Sequence, residues 1–275
     1  MDTLPSEYRH EPAMALGAGD DGMDVVRRML PEAAAHLNDG GMIIVEVGDG
    51  AEAVEATEGD FHLALSLEEH AEILAKALTS EPWRSRIDWK RVHFYLLHEQ
   101  LGEADLAHRT LLQRLLFDPL QIPAEHIHAV EESAQEPAQA ATALQQHVAE
   151  RVRHLDGRPQ FDLALLEMGV DGHLAGVYPD QVELYISDDV FAPNEMTTEQ
   201  GEQRQLVTVT LEALEESKRL VFLALGQDVR HAVGHIINLL PEAKAYPANF
   251  LAAKIPWVHL FADDQAMREK SYAIY

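Results

Sequence analysis

The chain has 275 residues, 47% of them hydrophobic, and no cysteine. That length can bury a sizeable core, as one large α/β domain or one domain with an appendage, and disulfides, thiolate chemistry and Cys-ligated zinc are excluded. Lysine plus arginine number 21 against 47 for aspartate plus glutamate, a net charge of -26, which argues against nucleic acid or an anionic membrane as partner and obliges any phosphorylated substrate to find a local basic pocket.

In chain order, short apolar runs alternate with longer amphipathic stretches, the pattern of βα units. The first elements are a helix over 23–37 and a strand over 42–47 (MIIVEV). A strand over 62–66, a helix over 68–79 and a strand over 91–96 (RVHFYL) follow. Helices are expected at 107–117 and, starting from Pro137, at 137–154, with a strand over 161–167 after them. The stretch 191–204, FAPNEMTTEQGEQR, reads as a mobile surface loop that can close as a lid beside a strand mouth. The remaining expectations are strands at 206–211, 219–225 and 256–261 and helices at 211–217 and 228–239. No apolar stretch approaches the roughly 18 residues of a membrane span, and the opening MDTLPSEYRHEP lacks a basic or apolar leader, so a cytoplasmic protein is expected.

The residues that carry chemistry follow the strand at 161–167. The run from Phe161 to Leu166 is apolar without alternation and is bounded by Pro159 and Gly169, as a strand buried on both faces of a parallel sheet should be. It empties into Met168-Gly169-Val170-Asp171-Gly172-His173. Two glycines allow a tight turn and close approach to a ligand, while an acid and an imidazole are presented at the carboxyl end of the strand, where parallel sheets bind ligands.

FDLALLEMGVDGHLAGVYPD (161–180) resembles the strand and turn of 6-phosphogluconolactonases, which run FDLVLLGMGPDGHTASLFP. IDWKRVHFYLLHEQ (87–100) is similar to that family's IDWxxVHxFxxDER, and QIPAEHIHAV (121–130) to its IPAENVHxI. LVTVTLEALEESKRLVFLALG (206–226) and PWVHLFADDQA (256–266) continue the likeness. The resemblance covers about 59–266 and implies a Rossmann-like α/β sheet with flanking helices, of the sugar-phosphate isomerase, deaminase and lactonase type. It implies metal-independent and cofactor-independent hydrolysis of a sugar lactone, 6-phosphogluconolactone, in the pentose phosphate pathway. A glucosamine-6-phosphate deaminase shares a GxDGH turn, but its following AFNEP is absent, and LAGVYP is closer to the lactonase's TASLFP. The first residues, taken as an extension over 1–58, look like the late part of glutamine N5-methyltransferases; no NPPY and no Gly-rich cofactor turn occur, so methyl transfer is not expected.

By the same resemblance His173 is the general base and Asp171 orients it or stabilises its protonated form. N–H groups around Gly169 and Gly172 are candidate oxyanion donors. The phosphate grip departs from the family pattern. Its SGGST turn, whose glycines cradle phosphate at a helix N-terminus, reads here Ser66-Leu67-Glu68-Glu69-His70. Of its DER segment only Glu99 is kept, between His98 and Gln100; its Ser-Asn pair falls at Ala107 and His108, its arginine at Leu206 and its lysine at Val229. Arg109, Arg204 and Arg230 stand near those positions as replacement cations. Within the motif the family's glycine is Glu167, its threonine Leu174 and its serine Gly176. Two alternatives therefore stay open: a non-catalytic homologue that binds or regulates, and a lactonase for a non-phosphorylated lactone, which the acidic chain would repel less. His231 and His235, spaced i,i+4, lack the glutamate and third ligand of a zinc site.

Overall fold

The computed structural model describes residues 54, 59–67, 69–102, 107–131, 134, 136–197, 201–255 and 258–267. The described residues belong to the unit Gly48–Tyr275; the expected helix at 23–37 and strand at 42–47 lie outside them.

Six parallel strands form the main sheet: β1 (Phe61–Ser66), β2 (Val92–Leu96), β4 (Ile127–His128), β7 (Leu163–Glu167), β10 (Leu220–Ala224) and β11 (Val258–Ala262). Their order is β11-β10-β7-β1-β2-β4. The chain thus builds outward from β1 through β2 and β4, then returns to the other side of β1 to lay down β7, β10 and β11. The direction of winding reverses between β1 and β7, and that crevice is where open α/β sheets bind ligands.

Side-chain alternation divides the core into two layers. On one face Phe61, Leu63 and Leu65 of β1 join Val92, Phe94 and Leu96 of β2 against helix α1 (Ala71–Leu78) and the segment after helix α3 (Ala107–Leu112). On the other, Ala64, Tyr95, Ala164 and Leu166 pack with Ala140, Ala141, Leu144 and Val148 of helix α4 (Pro137–Ala149). A short helix α2 (Trp83–Arg86) precedes β2, and the carboxyl side carries α5 (Arg230–Ile237) and α6 (Pro247–Lys254). Among the described residues no helix is long and apolar enough to cross a membrane.

Three expectations are corrected. The described residues of 191–204 include strands rather than a lid loop: β8 (Phe191–Thr197) pairs antiparallel with β9 (Gln203–Val209), and β9 with β3 (His98–Gln100). Pro193 is tolerated because β8 is an edge strand. The helix at 211–217 shrinks to one 3-10 turn, Glu212–Leu214, and the helix from Pro137 stops at Ala149 rather than 154. In the freed residues β5 (His154–Leu155) and β6 (Arg158–Pro159) form a hairpin, turned by Asp156 and Gly157 with φ of 51 and 83; the Asp-Gly pair is the sequence signal for such a turn.

Candidate active site

The turn after β7 is closed by its own backbone. Gly169 N–H donates to the His173 carbonyl at 3.1 Å, Gly172 N–H donates to the Gly169 carbonyl at 3.0 Å, and Met168 bridges to Leu174. The N–H groups of both glycines, candidate oxyanion donors by sequence, are thus used within the turn. Each glycine is required for a separate reason. A Cβ on Gly169 would stand 1.8 Å from His173 Cε1, so the imidazole lies directly over this residue. Gly172 has a φ of +73, and a Cβ there would come within 2.7 Å of the Tyr246 side chain.

This fold of the turn aims Asp171 at His173. The His173 ring Nδ1 lies 2.6 Å from Asp171 Oδ1, and the backbone N–H of His173 donates to the same oxygen at 3.1 Å. A carboxylate has no proton to give, so Nδ1 is the donor and Nε2 becomes the nitrogen that can accept a proton. The imidazole is 14% exposed and Asp171 41%: the ring is sheltered while its partner still meets water. Burial alone would push the Asp171 carboxyl up. The hydrogen bond and charge of His173, with backbone donors, outweigh it and hold the group below its ordinary value.

Aromatic residues buttress the turn. The Tyr178 ring lies 4.7 Å from the His173 ring. Tyr246 packs against Gly172, its hydroxyl 2.8 Å from His235 Nδ1, and Ala248 N–H donates to the Gly172 carbonyl at 3.0 Å. The Tyr185 hydroxyl donates to the Ala245 carbonyl at 2.8 Å. Burial first, and then nearby carboxylates including Asp171, push the phenols of Tyr185 and Tyr246 up, so both stay protonated and able to donate.

The crevice between β1 and β7 is spanned by a hydrogen-bonded pair. Glu167, 7% exposed at the end of β7, places Oε1 2.7 Å from His70 Nδ1, and the backbone N–H of His70 donates to both carboxylate oxygens at 3.3 Å. His70 is the residue before α1, so the start of this helix already holds an anion. Glu69 is exposed, and Glu68 lies outside the described residues. Beside this pair, Ser66 Oγ and His98 Nδ1 share a hydrogen bond of 3.0 Å.

The other sequence candidates meet in smaller groups. Glu99 accepts the Val130 N–H at 2.6 Å, and Arg109 donates to the Val130 carbonyl at 3.2 Å, so the backbone of one residue holds both. Arg204 on β9 donates to Gln100 Oε1 and pairs with Glu202, each at 3.3 Å. Arg230 opens α5 after the carboxyl end of β10, with no ion pair or side-chain hydrogen bond among the described residues. Sequence reasoning passed over His70, His98 and the three tyrosines. His70 and His98 lie where strands of the sheet end, which was the available signal. Among the described residues no three His, Asp or Glu side chains converge to hold a metal ion.

The family profile described as glucosamine-6-phosphate isomerases/6-phosphogluconolactonase matches residues 43–258. The 6-phosphogluconolactonase of Haemophilus influenzae is 28% identical over 209 residues, covering 75% of this chain and 86% of that protein. The crystal structure of devB protein superposes with a TM-score of 0.69 at 26% identity, over 80% of this chain and 93% of the other. The amino-terminal residues are similar to another protein, the ribosomal protein uL3 glutamine methyltransferase of Burkholderia pseudomallei, at 52% identity over 63 residues, 23% of this chain and 20% of that one. The profile match takes in the winding reversal, the turn of His173 and the three-stranded sheet beside them, and the chain belongs to the family of glucosamine-6-phosphate isomerases and 6-phosphogluconolactonases.

Proposed function

We propose that the protein hydrolyses the ester of a sugar lactone, opening 6-phosphogluconolactone to 6-phosphogluconate, a step of the pentose phosphate pathway. The observation that carries this reading is the 2.6 Å contact between Asp171 and His173 at the mouth of β7, in a chain similar to proteins named 6-phosphogluconolactonase. His173 Nε2 removes a proton from water as the oxygen attacks the lactone carbonyl. The imidazolium that forms is stabilised by Asp171. As the tetrahedral intermediate collapses, the bond to the ring oxygen breaks and that oxygen takes the proton back from His173. The base returns neutral, and the product carries a new carboxyl and a new hydroxyl.

For the distal phosphate, Arg204 and Arg230 are the cations this reading assigns, with Ser66 as a hydroxyl contact; Glu99 and Arg109 brace the wall through Val130. The test is hydrolysis of freshly generated 6-phosphogluconolactone, corrected for spontaneous opening, beside His173→Ala. Activity that vanishes in the variant supports the assignment. No rate above the spontaneous one, from protein shown to be folded, overturns it.

A further inference from the structure

The edge of the parallel sheet opposite the His173 turn gathers five imidazoles: His62 at the start of β1, His93 at the start of β2, His126 and His128 around β4, and His147 on α4. Three of them form a chain. His93 Nδ1 lies 3.0 Å from His128 Nε2, and His128 Nδ1 lies 2.8 Å from His147 Nε2. His128 is 2% exposed and spends both ring nitrogens on other imidazoles. The His126 ring stacks on His93 at 3.8 Å, and His62 Nδ1 meets the Tyr95 hydroxyl at 2.9 Å.

Counting protons shows what such a chain tolerates. Each N–H···N link needs one hydrogen and one lone pair. The two links use two hydrogens on four nitrogens, and only the outer nitrogens, His93 Nε2 and His147 Nδ1, can carry others. Three neutral rings supply three hydrogens, and one added proton still fits, helped by Asp60, 3.5 Å from His93 Nε2. A second added proton must enter a link and break it.

The geometry points to an acid-sensitive latch: the chain His93–His128–His147 ties α4 to the amino-terminal edge of the sheet at neutral pH and lets it go when a second proton enters. The surroundings favour the neutral state. Burial first, then neighbouring imidazoles and Arg151, lower His93 and His128, the latter to about 3; burial and Arg151 lower His147 against Glu150 and Glu131. His62 is lowered by burial, against Asp162 and Asp60 and with Lys218. Release would reach the far end of the molecule. Gln145 of α4 accepts the Val190 N–H at 2.7 Å and the Phe191 N–H at 3.4 Å, where β8 begins, and β8 is joined through β9 to β3 and Glu99.

Hydrogen exchange on the full chain at about pH 7.5 and about pH 5.5, corrected for intrinsic rates, tests this. The wild type should lose at least about tenfold protection over residues 137–149 at the lower pH, beyond any fall in β1 and β7 that a lower global stability brings. His147→Gln, whose amide can accept or donate toward His128 without titrating, should lose much less; His93→Gln serves in its place if that variant does not fold. Undiminished protection of α4 in the wild type, a loss uniform across the chain, or an equal loss in the variant would overturn the latch.

Discussion

Glu167 reaches from the end of β7 to His70, the residue before α1, and holds it by both ring and backbone across the crevice where the sheet reverses its winding. A carboxylate therefore stands where an open α/β sheet offers a helix N-terminus to a ligand, and it opposes any second anion brought there.

Glu167→Gln should lower KM for the phosphorylated lactone and leave that for unphosphorylated gluconolactone unchanged. Two unit charges at 4 Å repel by about 1 kcal/mol in water and by more where water is excluded, so a gain of about fivefold or more is expected. Steady-state kinetics on both lactones check it; equal effects on the two would show that Glu167 does not face the phosphate.

Gly169→Ala should abolish most activity without unfolding the chain. The new Cβ would stand 1.8 Å from His173 Cε1, so the imidazole must swing away, and a displacement of that order costs about a hundredfold in kcat. A variant with native circular dichroism and wild-type kcat would contradict this placement of the ring.

Asp171→Asn should cut kcat by about 10²- to 10⁴-fold, with less effect on KM, because the imidazolium loses its counter-charge and its fixed tautomer. The wild-type carboxyl titrates below its ordinary value of 3.8. Its contribution is therefore complete above that value and lost only as pH falls through the lower folded one, so it should impose no loss of activity near neutrality.

Gly172→Ala should destabilise the protein by about 1–3 kcal/mol, from a left-handed backbone combined with a clash. Urea denaturation measures this. A shift under a few tenths of a kcal/mol would mean that Tyr246 moves aside at little cost.

Acid should weaken the fold before the carboxylates titrate. The folded values of His62, His93, His128 and His147 all lie below the ordinary 6.5. Their contribution is full above that value and lost as pH falls, for His128 down to about 3. Each such group adds at most about 1.4 kcal/mol per pH unit to the slope. Urea midpoints should be level above about pH 7 and fall toward about pH 5; a level profile across both would contradict these shifts.

Five of the six parallel strands were legible because each is a short apolar run stopped by glycine, proline or a charged turn, and β7 with its turn was the clearest; β4, two residues long, was missed. Asp171 and His173 were legible as a pair because two residues in a tight turn cannot avoid each other. The edge strand β8 was hidden by Pro193, Asn194 and Glu195, residues that a one-sided strand accommodates and a loop favours. The pair of His70 and Glu167 was hidden for another reason. They are 97 residues apart, and only the insertion of β7 beside β1, out of sequence order, brings them together. Residue type suggested anion repulsion at this corner, whereas the partner that holds Glu167 depends on strand order.

Leu97 joins the backbone of the main sheet to that of the three-stranded sheet. Leu97 N–H donates to the Leu65 carbonyl of β1 at 2.9 Å, and the Leu97 carbonyl accepts the Val209 N–H of β9 at 2.8 Å. Strand side chains alternate in direction, so one residue added or removed beside Leu97 would turn Glu99 and Gln100 to the opposite face and unseat both from Val130 and Arg204. This joint fixes the parity of the wall beside the His173 turn. Length variation here would have to come in pairs of residues.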